Sequence, residues 1–233
     1  CGISTWSEHM VVAEVSCRRI PDAVPYEVAA LIGCGVATGV GASVHRGQLS
    51  EGDTVVVVGA GGVGLSAVMG ANMAGAERII AVDRAASKKN LSINLGATHF
   101  VTADDRAIDE VLILTEGRGA DVVIEAIGNT ALQESWLRAV RPGGTMVLVG
   151  VPSTSDSTSF ISADLIRSEK TIKGSYYAAA DTGQAIDDLC AAYLQGRLPV
   201  DRLISKRVAI QDIQLAIDAM LTGAEGRTVI AFD

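Results

Sequence analysis

The stretch TVVVVGAGGVGLSAVMGA, residues 54–71, decides the fold of this chain of 233 residues. It opens with five β-branched residues, continues with the four glycines of GAGGVG at 59–64, and ends in an apolar segment without proline. A β-branched run bounded by glycines favours a buried strand and a tight turn, and the longer apolar segment favours a helix. The stretch therefore predicts the strand–turn–helix unit that begins a doubly wound parallel sheet.

The same alternation continues after this unit. Further strand-like runs are RIIAV (78–82), HFV (99–101), DVVIE (121–125), TMVLVG (145–150) and KTIKGSY (170–176). Segments 62–74, 85–95, 107–115 and 131–140 between them are predicted helices. Gly75 and Gly96 stand where the first two helices should end, and Pro142-Gly143-Gly144 predicts a break before the fifth strand. Continuously apolar strands that alternate with helices indicate an α/β fold, a Rossmann doubly wound parallel sheet.

The two ends of the chain have a different pattern and divide it into three parts. Residues 1–35 contain two strand-like runs, HMVVAEV and RRIP, and then the helical EVAALIG. Residues 176–233 contain predicted helices at 185–194 and 210–222 and a last strand, RTVIAF. Because each end is too short to bury a core of its own, we expect one complete sheet domain at 36–175 with partial structures on both sides.

Composition excludes several classes of protein. Lys and Arg number 19 against 27 Asp and Glu, which gives a net charge of -8, and 48% of the residues are hydrophobic. A disordered chain would be less apolar, and a nucleic-acid binder would carry a basic run. The four cysteines, Cys1, Cys17, Cys34 and Cys190, form no CxxC pair, which fits a reducing cytoplasm rather than a disulfide scaffold.

One segment is long and apolar enough to suggest a membrane span. Residues 54–76 contain no charged side chain. Six glycines interrupt this segment, however, and a strand, a turn and a buried helix explain them better. The first ten residues also lack the basic and apolar regions of a signal peptide. We therefore expect neither membrane insertion nor secretion.

The glycine turn predicts a dinucleotide site. Gly59 allows the tight turn, the backbone of Gly61, Gly62 and Val63 can approach a pyrophosphate, and Gly64 allows close packing of helix on strand. Asp83 ends the second strand, where its carboxylate can accept hydrogen bonds from a ribose and repel the 2′-phosphate of NADP. This pattern predicts NAD. A methyltransferase that uses S-adenosylmethionine, or a turn needed only for packing, is the alternative.

Four motifs together resemble the zinc-dependent medium-chain alcohol dehydrogenases, in particular the liver-type and formaldehyde dehydrogenase-like branch. They are ALIGCGVATGVGA (30–42), GAGGVGLSAVMGA (59–71), RIIAVD (78–83) and GRTVIAF (226–232). The resemblance covers nearly the whole chain, but family members begin with a further segment that this sequence lacks. It implies that residues 1–35 and 176–233 are remnants of a GroES-like, β-rich catalytic domain.

The resemblance also implies the coenzyme contacts. It places Thr38, in the GVATG turn, beside the nicotinamide and Asp83 and Lys88 at the adenosine ribose. Further contacts that it implies are Ile127 after the fourth strand, Val149 and Val151 around the nicotinamide, Tyr177 near the carboxamide and Arg227 at a phosphate. Arg84 would frame the adenosine ribose with Lys88, although a solvated helix start fits Arg84 equally well. Structural alternatives exist for other contacts: Val149 and Val151 can belong to a strand core, and Arg227 can form a surface ion pair.

Zinc is implied by the resemblance through a single residue. Family members bind the catalytic ion with a cysteine near their start, the histidine of a Gly-His-Glu motif and the cysteine of a later IGCG segment. Only the last is present here, as Cys34. Because a catalytic zinc needs three protein ligands, Cys34 is expected to bind zinc only in a complete enzyme. Without the resemblance, a small buried hydrophobic residue is the preferred interpretation of Cys34.

Two functions follow. The first is the coenzyme-binding portion of an NAD-dependent, zinc-assisted dehydrogenase that acts on a small alcohol or aldehyde and is not competent alone. The second is a non-catalytic Rossmann module for nucleotide binding or assembly. The resemblance implies a homo-oligomer, a dimer or tetramer, in which a strand near residues 159–161 pairs with its symmetry mate.

Overall fold

A six-stranded parallel sheet forms the centre of the computed structural model, which describes residues 6–221, 223 and 226–232. Its strand order is β3-β2-β1-β4-β5-β6. The strands are β1 (Thr54–Val58), β2 (Arg78–Asp83), β3 (His99–Thr102), β4 (Ala120–Glu125), β5 (Val140–Leu148) and β6 (Thr171–Gly174). The order changes direction between β1 and β4, which opens a crevice at the carboxyl ends of these strands. The predicted doubly wound sheet is therefore confirmed.

Helices cover both faces of this sheet. The helices in the described part of the chain are α1 (Tyr26–Arg46), α2 (Gly62–Met73), α3 (Lys89–Asn94), α4 (Ala107–Leu114), α5 (Thr130–Trp136), α6 (Ser162–Arg167), α7 (Thr182–Leu194) and α8 (Ile213–Leu221). Along β1, Val55 and Val57 belong to one buried cluster, while Val56 and Val58 belong to the other. Successive side chains of a strand point to opposite faces, so the four consecutive valines of β1 are what two covered faces require.

The fifth strand corrects one prediction. Pro142-Gly143-Gly144 was predicted to break the chain before it, yet β5 begins at Val140 and runs through all three residues. The register against β4 shifts between Ala120 and Val122, and an irregularity of this kind accommodates the proline and glycines. The predicted helix at 131–140 correspondingly ends at Trp136, and a 3₁₀ turn, Leu137–Ala139, leads into the strand.

A single helix, α1, replaces the predicted GVATG turn. Hydrogen bonding of the π type over Ile32–Val36 and Ala42–Arg46 keeps the 21 residues in one helix. Its glycines serve close packing: a Cβ on Gly39 would lie 2.2 Å from the Val63 carbonyl oxygen, and one on Gly41 would lie 2.2 Å from that of Ala178. Turn-forming residues thus act here as contact points between helices.

Helix α1 is also long and apolar enough to cross a membrane by length and composition. More than half of its apolar window, 56%, is buried inside the fold. Val28, Ile32, Val36 and Val40 are fully buried and belong to the cluster that also contains α2 residues. Its hydrophobicity is therefore that of a core helix, which passes the same composition test.

The two ends of the chain depart from the predicted strands. HMVVAEV and RRIP are not strands; their described part contains one 3₁₀ turn, Glu14–Ser16, and Val11 and Val15 are exposed. No described strand lies beside them to pair with their backbone groups, which a strand requires. Cys1, expected to be an ordinary cysteine, lies outside the described residues.

At the other end, β7 (Ile204–Ala209), a strand that the sequence pattern does not predict, pairs in parallel with β8 (Arg227–Ala231). The 3₁₀ turn Ile210–Asp212 and α8 occupy the region of the predicted helix at 210–222. Helix α1 crosses the expected domain boundary at 35/36 without interruption.

Asp121 joins three strands at the amino end of the sheet. Its carboxylate accepts hydrogen bonds from the Thr54 backbone N–H (2.9 Å), from Arg141 Nε (2.5 Å) and from Arg118. Burial acts to raise the pKa of Asp121, but the hydrogen bonds from Arg118, Thr54 and Arg141 outweigh it, and the pKa lies below its ordinary value. The ionised carboxylate of Asp121 therefore stabilises the packing of β1, β4 and β5 at the amino end of the sheet.

We expect Asp121→Asn to lower the free energy of unfolding at pH 7 by about 1–2 kcal/mol, since it removes the charge from these hydrogen bonds. Because folding depresses this pKa, the stabilisation is present above the unfolded pKa and is lost as the pH falls below about 4. Urea unfolding at pH 7 and pH 3.5 measures both effects. The exposed Asp105→Asn is the control, and a pH-independent difference for Asp121→Asn would contradict the assignment.

Candidate functional site

The glycine turn between β1 and α2 has two kinds of glycine. A Cβ on Gly64 would lie only 1.7 Å from the Gly59 carbonyl oxygen, so this position accepts no side chain. A Cβ on Gly61 would meet nothing within 4 Å, which leaves open space in front of the helix. Gly59 itself has a φ of 100°, in the left-handed region that favours glycine.

The start of α2 faces this open space. Gly61 is the N-cap and has no side chain to cap the helix, so the first backbone N–H groups have no intrahelical partner. Such N–H groups and the helix dipole favour an anion. The open space, the free donors and the flanking glycines fit a phosphate group.

Arg227 brings a positive charge from β8 to the same place. A Cβ on Gly62 would lie 2.2 Å from Arg227 Nε, and one on Gly35 would lie 2.9 Å from a terminal guanidinium nitrogen. The Arg227 side chain thus lies between the first residue of α2 and the middle of α1. It forms no ion pair with a carboxylate in the described part of the chain, so the alternative of a surface ion pair has no support there.

Asp83 and Lys88 form the second charged group at this edge. Lys88 Nζ donates to Asp83 Oδ2 at 3.0 Å, and the backbone N–H groups of Ala60 and Ala85 donate to the same carboxylate at 2.8 and 3.0 Å. Burial acts to raise the pKa of Asp83, but the hydrogen bonds from Ala85, Lys88 and Ala60 outweigh it, so the pKa lies below its ordinary value. Arg84 is exposed beside them.

The ends of β4 and β5 place three predicted residues on adjacent loops. Ile127 is 52% exposed, and a Cβ on Gly59 would lie 2.6 Å from its Cγ1, so the side chain borders the glycine turn. Val149 is buried in the core cluster, whereas Val151 is 78% exposed. Of this pair only Val151 presents its side chain to solvent.

Thr38, Cys34 and Tyr177 gather around the middle of α1. Thr38 Oγ1 donates to the Cys34 carbonyl oxygen at 2.8 Å, and Tyr177 Oη donates to the Gly33 carbonyl oxygen. Burial raises the pKa of Tyr177, and the nearby Cys34 adds to this effect. The Cys34 residue is exposed, which does not fit the buried hydrophobic role.

The expected zinc site is not built by the residues that the structure describes. Among them no group of three or more His, Cys, Asp or Glu side chains could hold a metal ion. A catalytic zinc needs three protein ligands, and Cys34 supplies one. The described residues alone therefore do not fit a zinc site.

One residue of this edge has no predicted role. Glu125, the last residue of β4, is fully buried and accepts hydrogen bonds from the backbone N–H groups of Ile127 and Gly128, both at 2.7 Å, and from Gln133 Nε2 at 3.1 Å. The signal for it is present in the sequence, because DVVIE ends an otherwise apolar strand in a carboxylate. A carboxylate at the carboxyl edge of a parallel sheet is a candidate for a role in the crevice.

Comparisons with known proteins agree on one family. A family model described as zinc-binding dehydrogenase matches residues 62–191. The NDMA-dependent alcohol dehydrogenase of Amycolatopsis methanolica is 34% identical over 233 residues, which are 99% of this chain and 63% of that protein. The chain thus spans less than two thirds of this curated relative.

Solved structures give the same result. An alcohol dehydrogenase zinc-binding domain protein from Burkholderia ambifaria is 32% identical with a TM-score of 0.87, over 93% of this chain and 58% of that one. A zinc-binding dehydrogenase target from Sinorhizobium meliloti 1021, bound to NADP, is 28% identical with a TM-score of 0.75, over 90% of this chain and 60% of that one. The predicted resemblance to zinc alcohol dehydrogenases is confirmed.

The two kinds of glycine in the turn give a testable contrast. Gly64→Ala should lower the free energy of unfolding by about 2–3 kcal/mol, because its Cβ meets a backbone oxygen that cannot move freely. Gly61→Ala should leave it unchanged, since its Cβ enters open space and its φ of -87° suits alanine. Thermal unfolding followed by circular dichroism compares the variants, and equal losses at both positions would contradict this assignment.

Proposed function

Since this chain belongs to the zinc-binding dehydrogenase family, we propose that it is the coenzyme-binding portion of an NAD-dependent alcohol dehydrogenase. The proposed reaction of the complete protein is hydride transfer between a small alcohol and an aldehyde or ketone. The observation that carries the proposal is the convergence of the open glycine turn, Arg227 and Asp83 on one sheet edge.

In this proposal the backbone N–H groups at 61–63 and the Arg227 guanidinium bind the pyrophosphate of the coenzyme. The N–H groups act through the helix dipole, and the guanidinium supplies a fork of charged donors. No counter-ion among the described residues competes for the guanidinium. The crevice therefore combines an anion site with the space that the ligand needs.

Asp83 and Lys88 are proposed to bind the adenosine ribose, with the exposed Arg84 beside them. Hydrogen bonds to Ala60, Ala85 and Lys88 fix the Asp83 carboxylate in its ionised form at the end of β2. A fixed negative charge there favours a ribose hydroxyl and disfavours a 2′-phosphate. This supports NAD for the chain, although the Sinorhizobium meliloti structure holds NADP.

On the other side of the crevice we propose contacts with the nicotinamide half. A bound nicotinamide supplies the atom that accepts or gives the hydride. Ile127 and Val151 offer exposed apolar surface that excludes water, and the backbone carbonyls at 149–151 are proposed as polar contacts, because the Val149 and Gly150 N–H groups already donate to the Glu125 carbonyl. Thr38, on α1, and Tyr177, which is hydrogen-bonded to α1 from the loop after β6, are proposed to orient the ring.

For zinc, we propose only that Cys34 is one ligand of the ion in the complete protein. The remaining ligands are proposed to come from the part of the relatives that this chain does not span. We also propose a homo-oligomer, a dimer or tetramer, in the cytoplasm. Residues 159–161, expected to pair across a dimer, are not in a strand in the single chain.

A non-catalytic Rossmann module is the second candidate, and one observation favours it. The described residues contain no cluster of metal-binding side chains, so nothing in them activates an alcohol. Metal analysis of the purified chain and an assay with alcohol and NAD separate the candidates. Turnover with stoichiometric zinc would refute the non-catalytic module.

The first candidate predicts that the chain binds NADH with saturation below millimolar concentrations and binds NADPH more weakly. The reason is the match of the glycine turn to a pyrophosphate and of Asp83 to a free ribose. Titration followed by coenzyme fluorescence measures both constants. A linear, unsaturated response to NADH, or tighter binding of NADPH, would overturn the proposal.

The variant Asp83→Ala should reduce the preference for NADH over NADPH by about tenfold, because it removes one charge-assisted hydrogen bond and the repulsion of the 2′-phosphate. The matched control is Asp53→Ala, which removes the same charge just before β1, at the opposite edge of the sheet. The control should keep the wild-type ratio of dissociation constants. An unchanged ratio in Asp83→Ala would contradict the role of this carboxylate at the ribose.

A further inference from the structure

We propose that Glu125 is a positioning residue that holds together the two loops flanking the nicotinamide half of the coenzyme. The inference rests on the proposed coenzyme binding and adds to it a residue that does not itself touch the ligand. It starts from the buried carboxylate at the end of β4, whose partners are all neutral groups in the described structure.

The carboxylate fixes the loop that follows β4. Oε1 accepts both the Ile127 and the Gly128 N–H groups at 2.7 Å, which closes a tight turn around a single oxygen. Oε2 accepts from Gln133 Nε2 at 3.1 Å, one helical turn into α5. Every other residue within β4 is apolar except Asp121 at the far end. The Glu125 carboxylate therefore lies in apolar surroundings and depends on these particular hydrogen-bond donors.

The backbone of the same residue fixes the loop that follows β5. The Glu125 carbonyl oxygen accepts the N–H groups of Val149 and Gly150 at 2.9 and 3.0 Å. The two loops also touch directly, because a Cβ on Gly150 would lie 1.9 Å from the Gly128 nitrogen. One residue thus holds both loops, the first through its side chain and the second through its main chain.

These loops border the half of the crevice opposite Asp83. In the strand order, β2 lies on one side of β1 and β4 and β5 lie on the other, so the ends of β4 and β5 flank the half that Asp83 does not reach. Ile127 projects from the first loop and Val151 follows the second. The positions of their apolar side chains depend on the turn that Glu125 closes.

The network continues beyond these loops to residues 153–161. Gln133 Oε1 accepts a hydrogen bond from Thr158 Oγ1 at 2.7 Å, so Gln133 joins the buried carboxylate to this segment. Because an amide can be turned over, Glu125→Gln can keep the Oε1 bonds and reverse the bond with Gln133. Glu125→Gln therefore preserves the hydrogen bonds of the turn while it removes the negative charge. Comparing this variant with Glu125→Ala separates the effect of the hydrogen bonds from the effect of the charge.

The experiment compares two ligands on the 233-residue chain. NADH occupies both halves of the proposed crevice, whereas 5′-AMP occupies only the adenosine half beside Asp83. We expect Glu125→Ala to raise the dissociation constant of NADH about tenfold, since two backbone N–H groups lose their acceptor and the turn loosens. The dissociation constant of 5′-AMP should stay at the wild-type value, and Glu125→Gln should restore most of the affinity for NADH.

The control is Val123→Ala, which removes buried methyl groups two residues earlier in β4 without touching the polar network. It should lower stability and leave the ratio of the two dissociation constants unchanged. If Glu125→Ala does not fold, Gln133→Leu decides the question. It leaves Glu125 in place, removes its bond to α5 together with the bond to Thr158, and should weaken NADH binding severalfold and not that of 5′-AMP.

The outcomes separate this inference from the function on which it rests. Failure of the wild-type chain to bind NADH overturns the proposed function and the role of Glu125 with it. If the wild type binds and Glu125→Ala weakens both ligands equally, or neither, only the role of Glu125 is overturned. Selective loss of NADH affinity, with rescue by Glu125→Gln, supports it.

Discussion

The close contact between Gly64 and the Gly59 carbonyl is the constraint on which the rest of the site depends. A side chain of any size at Gly64 would push the start of α2 away from the end of β1. With α2 held there, α1 can pack on it at backbone distance, since Gly39 lies against the Val63 carbonyl and Gly70 against Val40. The crevice, the free helix donors and the approach of Arg227 to Gly62 all follow from this packing of helix on strand and helix on helix.

Two carboxylates at the carboxyl edge of the sheet show how surroundings assign different roles to similar groups. Asp83 is partly exposed and paired with Lys88, so a cation balances its charge. Glu125 is fully buried and its described partners are two backbone N–H groups and an amide. Burial without a cation makes a carboxylate costly unless hydrogen bonds satisfy it, and the cost explains why it is found where a turn supplies these donors. At the amino edge of the sheet, the buried carboxylate of Asp121 is satisfied instead by hydrogen bonds from two arginines, Arg118 and Arg141.

The sequence predicts local features of this fold better than those that depend on distant segments. All six strand-like runs become strands of the sheet, and Gly75 and Gly96, with φ of 81° and 113°, end the helices as expected. The GVATG segment is a turn in the sequence prediction but part of a helix in the structure, because the contacts of its glycines come from distant residues: Gly39 packs against α2, and Gly35 lies beside Arg227. The strand β7 has exposed polar positions and a partner more than twenty residues later, so its pattern gives no local signal. DVVIE does show that a carboxylate ends β4, but the sequence does not indicate the partners of Glu125, since Gln133 and the two loops become its neighbours only through folding.

Cys34 shows the limit of what one segment can contribute to a metal site. It lies inside α1, where side chains three and four positions away share a helix face, and those positions hold Ala30, Leu31, Ala37 and Thr38. None of these binds a metal as a histidine or cysteine does, so further ligands have to approach α1 from other segments. The hydrogen bonds of Thr38 to the Cys34 carbonyl and of Tyr177 to the Gly33 carbonyl fix this turn of the helix without any such ligand. Both bonds hold the backbone of α1 and not the Cys34 thiol, and a zinc site with three protein ligands requires residues that the described chain does not provide.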